Sequence, residues 1–164
     1  MAYKARHVAN SLIYKAKNEG SQLTHMKLQK LLFFLNGWNL AVYGRELFDE
    51  SFEAWPYGPV IENIYHEFKG YGKSPISYAP EPSDENTHRA LMVRFSDSDF
   101  WKLLDVVWGK YSPYSALQLS DMTHQPDTPW FDARRNGKTF IKNEEIKKYF
   151  VEKANDNRNK THKA

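Results

Sequence analysis

With 164 residues, 41% of them hydrophobic and 15% aromatic, the chain is long and apolar enough to bury one core, which excludes a disordered polypeptide. It has no cysteine, so disulfides, thiolate metal sites and a cysteine nucleophile are excluded together. The formal net charge of +3 is unevenly spread: residues 1–30 carry six bases against Glu19, residues 42–90 nine acids against four bases, and residues 131–164 ten bases against five acids. Basic ends around an acidic middle argue against a uniformly basic nucleic-acid binder. They leave open either a polarised surface or solvated helix faces whose signs happen to segregate. No segment reaches the ~18–20 apolar residues of a membrane span, and the N-terminus lacks the apolar run and cleavage site of a signal peptide. The cytoplasm is the default compartment.

In chain order, Val8, Leu12 and Ala16 repeat at a spacing of four and predict a helix from Arg6 to Glu19, stopped by Gly20. A second helix is predicted over residues 24–43, with Thr24 as N-cap and Gly44 as terminator. Leu28, Leu31, Leu35, Trp38 and Val42 line one face, and Leu32, Phe33 and Phe34 make the helix apolar nearly all round, as expected of the most buried element. Gly37 inside it costs about 1 kcal/mol relative to Ala, so another element is expected to approach closely there.

Phe48, Phe52 and Ala54 alternate with polar residues, and Pro56-Tyr57-Gly58-Pro59 is turn chemistry. Together they predict a short strand or hairpin, then a helix opening at Pro59. Residues 70–90, with two glycines and three prolines, read as a mobile loop. Helices are then predicted over Asp97 to Tyr111, from Ser112-Pro113 to Thr123, and from Thr128-Pro129 through Arg135. An edge strand at Thr139 to Ile141 precedes a last helix capped at Asn143-Glu-Glu. From Ala154 no large apolar residue remains, and a frayed hydrophilic tail over 154–164 is expected. The sum is a mainly α domain over residues 1–153 with a small β-hairpin or short sheet, built around the central apolar helix.

No chemistry-bearing spacing stands out. The six histidines form no metal-ligand pair beyond a weak Asp121-x-x-His124, for which a structural or capping role is the stronger reading. Neither a Gly-x-Ser-x-Gly elbow nor a phosphate-cradling glycine loop is present, and no cofactor is expected. The most unusual cluster is Trp55-Pro-Tyr57-Gly-Pro59. A rigid turn presenting large amphipathic rings suits a binding anchor, and equally suits a turn packed onto the core. Lys27 and Lys30 could touch phosphates, yet the helix carrying them is too apolar to lie in a DNA groove.

Leu23-Thr24, KLQKLLFFLNGWNLAVYG at 27–44, Leu47-Phe48 and FEAWPYGPV at 52–60 with a following Tyr65 form one ordered set. Leu119 to His124, Pro129-Trp130 and Ala133-Arg134 form a second. The combination resembles the SocA-like, or Panacea, antitoxin domain across roughly residues 5–150. The resemblance implies a bacterium- or phage-borne type II antitoxin that neutralises a cognate toxin by direct contact, without catalysis. The same family includes an adaptor that delivers its toxin to a cytoplasmic protease. Alternative readings are therefore a protease adaptor or phage-encoded regulator of host proteins, and further behind a nucleic-acid-binding repressor. Asn39 stands where many members carry His after Gly-Trp. The residues expected to meet a partner are Lys27, Lys30, Trp55, Tyr57, Tyr65, His124 and Trp130.

Overall fold

The computed structural model describes residues 2–82 and 88–163. Their elements are α1 (Ala5–Asn18), α2 (His25–Tyr43), β1 (Phe52–Trp55), β2 (Gly58–Val60), α3 (Glu62–Phe68), a 3-10 turn (Lys69–Tyr71), α4 (Ser98–Tyr111), α5 (Ala116–Thr123), α6 (Pro129–Arg135), β3 (Phe140–Ile141) and α7 (Asn143–Lys163). The protein is thus mainly α with one short sheet. No helix among the described residues is long and apolar enough to cross a membrane.

Helix α2 forms where capping and burial agree. Thr24 Oγ1 accepts the Lys27 amide at 3.4 Å, and Gly44 ends the helix in the left-handed region at φ 69°, a conformation that costs glycine least. Residues 28–37 are all buried, whichever way their side chains point. The helix therefore needs neighbours all round, and it packs against α1, α3, α4, α5, α7 and β2. At Gly37 α7 comes close enough to exclude a side chain: a Cβ placed there would lie 2.1 Å from Cε2 of Phe150. On the same helix Phe34 stacks on Tyr111 with centroids 4.0 Å apart, and the Trp38 indole donates to the Tyr111 hydroxyl at 2.9 Å.

The sheet has the order β2-β1-β3, antiparallel throughout. Trp55 pairs with Gly58, so Pro56 and Tyr57 are the two turn residues of a hairpin. Pro59 is a strand residue opposite Ala54 and does not open the following helix as the sequence suggested. Its missing N–H is tolerated because β2 lies at the sheet edge. The helix waits until Glu62, because both backbone groups of Ile61 are held by the buried amide of Gln29. Gln29 Nε2 donates to the Ile61 carbonyl at 3.1 Å, and the Ile61 amide donates to Gln29 Oε1 at 2.9 Å.

Three further boundaries differ from expectation. Helix α5 starts at Ala116 rather than after Ser112, because Ser115 and Gln118 form a reciprocal capping box while Ser112 closes α4. The loop expected over 70–90 is packed in part: residues 70–75 are exposed, but Ile76 and Ala79 are buried and Asn10 grips the chain at Ala79 from α1, while residues 83–87 lie outside the described residues. Asn10 donates to the carbonyls of Ala79 and Leu91 at 3.0 and 2.8 Å and accepts the Ala79 amide at 2.8 Å. Finally, α7 does not fray at Ala154 but continues to Lys163. Once Ile146 and Phe150 have docked its first half, each added turn needs only propagation, and no glycine or proline interrupts it.

Candidate functional site

The sheet turn and the α5–α6 corner meet at one place, and side chains from the corner grip the hairpin by its backbone. Ser120 Oγ donates to the Tyr57 carbonyl at 2.7 Å, Trp130 Nε1 to the Trp55 carbonyl at 2.7 Å, and Arg134 to the Ala54 carbonyl at 3.2 Å. The corner is itself rigid. Thr128 caps α6 by accepting the Phe131 amide, and its hydroxyl donates to the Thr123 carbonyl at 2.7 Å. His124 lies flat on Trp130 with ring centroids 3.8 Å apart and planes 7° from parallel.

On the other side of the turn, Trp55 meets Tyr65 of α3 edge to face at 4.9 Å, and Tyr65 in turn meets His25 at 6.0 Å. The tip is left outermost: Tyr57 is 73% exposed, although its carbonyl is fixed. Side chains that are presented to solvent while their backbone is held need little further ordering on binding. Aromatic anchors of this kind dominate the energetics of protein interfaces.

Lys30 lies beneath the turn. Only 2% of it is exposed, and it forms no ion pair or hydrogen bond among the described residues. Gly58, at φ 120°, makes room for it: a Cβ there would fall 2.7 Å from Lys30 Cε, 3.1 Å from Nζ and 3.2 Å from Thr123 Oγ1. Burial pushes the ammonium down to about 8, so it still carries its charge at neutral pH. The imidazoles of His25 and His124 are each lowered, first by burial and then by the Lys30 charge, so both are neutral at pH 7.

The seven residues expected at a partner surface thus divide. Trp55, Tyr57, Tyr65, His124 and Trp130 gather around the hairpin. Lys30 supports it from below and offers no surface for phosphates. Lys27 points elsewhere, donating to the Ser112 carbonyl at 2.6 Å and joining α2 to the end of α4. Gln29, Ser120, Thr123 and Arg134 were not among the expected residues, yet they hold the site. All four lie inside the two ordered motif sets that carry the family resemblance, which marks their segments and says nothing of their roles. Among the described residues, no three His, Asp or Glu side chains are grouped so as to hold a metal ion.

The family described as Antitoxin SocA-like, Panacea domain, matches residues 28–131, which span α2, the hairpin, and the α5–α6 corner. Antitoxin SocA of Caulobacter vibrioides (strain NA1000 / CB15N) is 34% identical over 134 residues, covering 81% of this chain and 71% of the relative. No solved structure matches the chain. The chain therefore belongs to the SocA-like, Panacea-domain antitoxin family.

Proposed function

We propose that this protein is a cytoplasmic, non-catalytic antitoxin of a type II system, which neutralises a cognate toxin by binding it directly through the hairpin tip and the aromatic side chains around it. The observation that carries this reading is the combination at residues 54–58 of three backbone carbonyls held by side chains with a tip residue, Tyr57, that is 73% exposed. Surface apolar groups on a fixed frame suit a preformed recognition surface. Family membership and the likeness to an antitoxin support the same reading.

The test is coexpression with the product of the neighbouring gene. Wild-type protein is expected to rescue growth and to copurify with that product, and Tyr57→Ala is expected to weaken the complex by 1–2 kcal/mol or more, roughly 5- to 30-fold, as for an interface anchor. Absence of both rescue and complex formation would overturn the proposal. A complex unaffected by substitutions at both Trp55 and Tyr57 would place the contact elsewhere.

A further inference from the structure

A lysine buried without a counter-ion is a cost to folding that an apolar residue of the same length would avoid. Lys30 is such a residue, and its position is specific. It sits under the hairpin turn proposed to meet the partner, with Gly58 leaving room for its end and Thr123 on the other side of that space. Its ammonium is not among the fully occluded polar atoms that lack a partner, so a narrow approach from solvent remains. The hydroxyls nearby already donate to main-chain carbonyls: Thr123 Oγ1 to Ser120 at 2.7 Å, and Ser120 Oγ to Tyr57 at 2.7 Å. The two imidazoles that sense Lys30 are neutral at pH 7. The floor of the site therefore offers the Lys30 ammonium alone as a free donor group, since the neighbouring Arg134 guanidinium already donates to the Ala54 carbonyl, and a single point charge of this kind suits one carboxylate.

We infer that Lys30 is the receptor for a single acidic side chain of the toxin, which enters beside the hairpin turn and pairs with the ammonium in the complex. The inference rests on the antitoxin reading and adds the chemistry of the partner to it. In the free protein the charge is held ready but unpaired. In the complex it gains the partner that the fold does not supply, and the contact is desolvated by the aromatic side chains around it. Specificity follows, because a partner placing an apolar or basic group at this point would leave the ammonium buried and uncompensated.

The experiment compares the full-length chain with Lys30→Met, which keeps the length of the side chain and removes the charge. Sodium acetate serves as the carboxylate probe against sodium chloride at equal ionic strength, followed by NMR of the Lys30, His25 and His124 side chains. Saturable shifts with acetate in the wild type, absent in Lys30→Met, are expected. No saturable shift, or tighter binding of inorganic phosphate than of acetate, overturns the inference. With the neighbouring gene product, Lys30→Met is expected to weaken the complex about 30-fold or more while unfolding no earlier than the wild type. Equal affinity of the two proteins overturns the carboxylate contact and leaves the antitoxin reading standing. If the wild type binds no such product, the antitoxin reading fails, and the acetate titration alone decides the role of Lys30.

Discussion

Replacing Gly37 by Ala tests the packing of α7 on α2. On an isolated helix the change would stabilise by about 1 kcal/mol. Here the new methyl would lie 2.1, 2.3 and 2.6 Å from Cε2, Cδ2 and Cζ of Phe150, against the ~3.5–4.0 Å of an ordinary carbon contact. The ring must retreat by roughly 1–1.5 Å to restore that spacing. It has little room to do so, being fully buried with Phe33, Trp38 and Tyr149 at centroid distances of 5.9, 5.2 and 5.2 Å. Overpacking of this kind costs about 1–3 kcal/mol and sometimes more. Three clashes against one confined ring put it at the top of that range. A net loss of roughly 2–3 kcal/mol remains after the helix-propensity gain. For a domain of this size that lowers Tm by about 4–12 °C. Thermal and urea unfolding, followed by circular dichroism and tryptophan fluorescence, would measure it. Pairing Gly37→Ala with Phe150→Leu should recover part of the loss, giving a favourable coupling between the two sites. An unchanged or higher Tm for Gly37→Ala would refute the close packing of α7 on α2.

Three other outcomes follow from contacts described above. Asn10→Ala leaves the Ala79 and Leu91 carbonyls and the Ala79 amide without their partner, so a loss of about 2–4 kcal/mol and faster proteolysis next to Ala79 are expected; unchanged cleavage there would show that residues 76–79 are held by other means. Trp130→Phe keeps a ring against His124 but removes the donor to the Trp55 carbonyl, which should cost about 1 kcal/mol and speed amide exchange at residues 55–58. The folded ammonium of Lys30 titrates near 8 and the unfolded one near 10.5, so between these values the unfolded chain binds more protons and stability rises with pH. Below about 8 the burial penalty is fully present. Wild type measured against Lys30→Met should therefore gain up to about 3 kcal/mol across that window, and parallel pH profiles of the two proteins would contradict the burial of a charged lysine.

Helix positions were legible in the sequence wherever burial and capping act locally. Thr24 and Gly44 bound α2, Thr128 and Pro129 open α6, and the apolar run over 31–35 marks the centre. The misplaced boundaries are those decided at a distance. Whether Pro59 begins a helix or extends a strand depends on Gln29, thirty residues earlier in the chain, which holds Ile61 in an extended conformation. The packing of 76–79 depends on Asn10, and no local pattern announces it. The aromatic half of the candidate site was visible as an unusual cluster, because Trp, Tyr, Pro and Gly seldom crowd together without cause. Its support was hidden, since Ser120 and Arg134 bind main-chain atoms that are chemically alike at every position. Lys30 looked like surface charge because a sequence gives residue type, and only three-dimensional packing shows that the ammonium lies under a glycine.

The grip on the hairpin has a consequence for how such a surface can diversify. Ser120, Trp130 and Arg134 hold carbonyl oxygens, which every residue possesses, so the exposed side chain at 57 is not what keeps the turn in place. A substitution at the outward-facing Tyr57 changes what the tip offers while leaving its frame untouched, much as a tool holder accepts different bits. Gly58 is the exception, since any side chain there meets Lys30. Variation in partner preference is therefore expected to collect at the tip, with the clamp and the glycine kept constant, and a library randomised at position 57 should yield folded proteins at nearly every member.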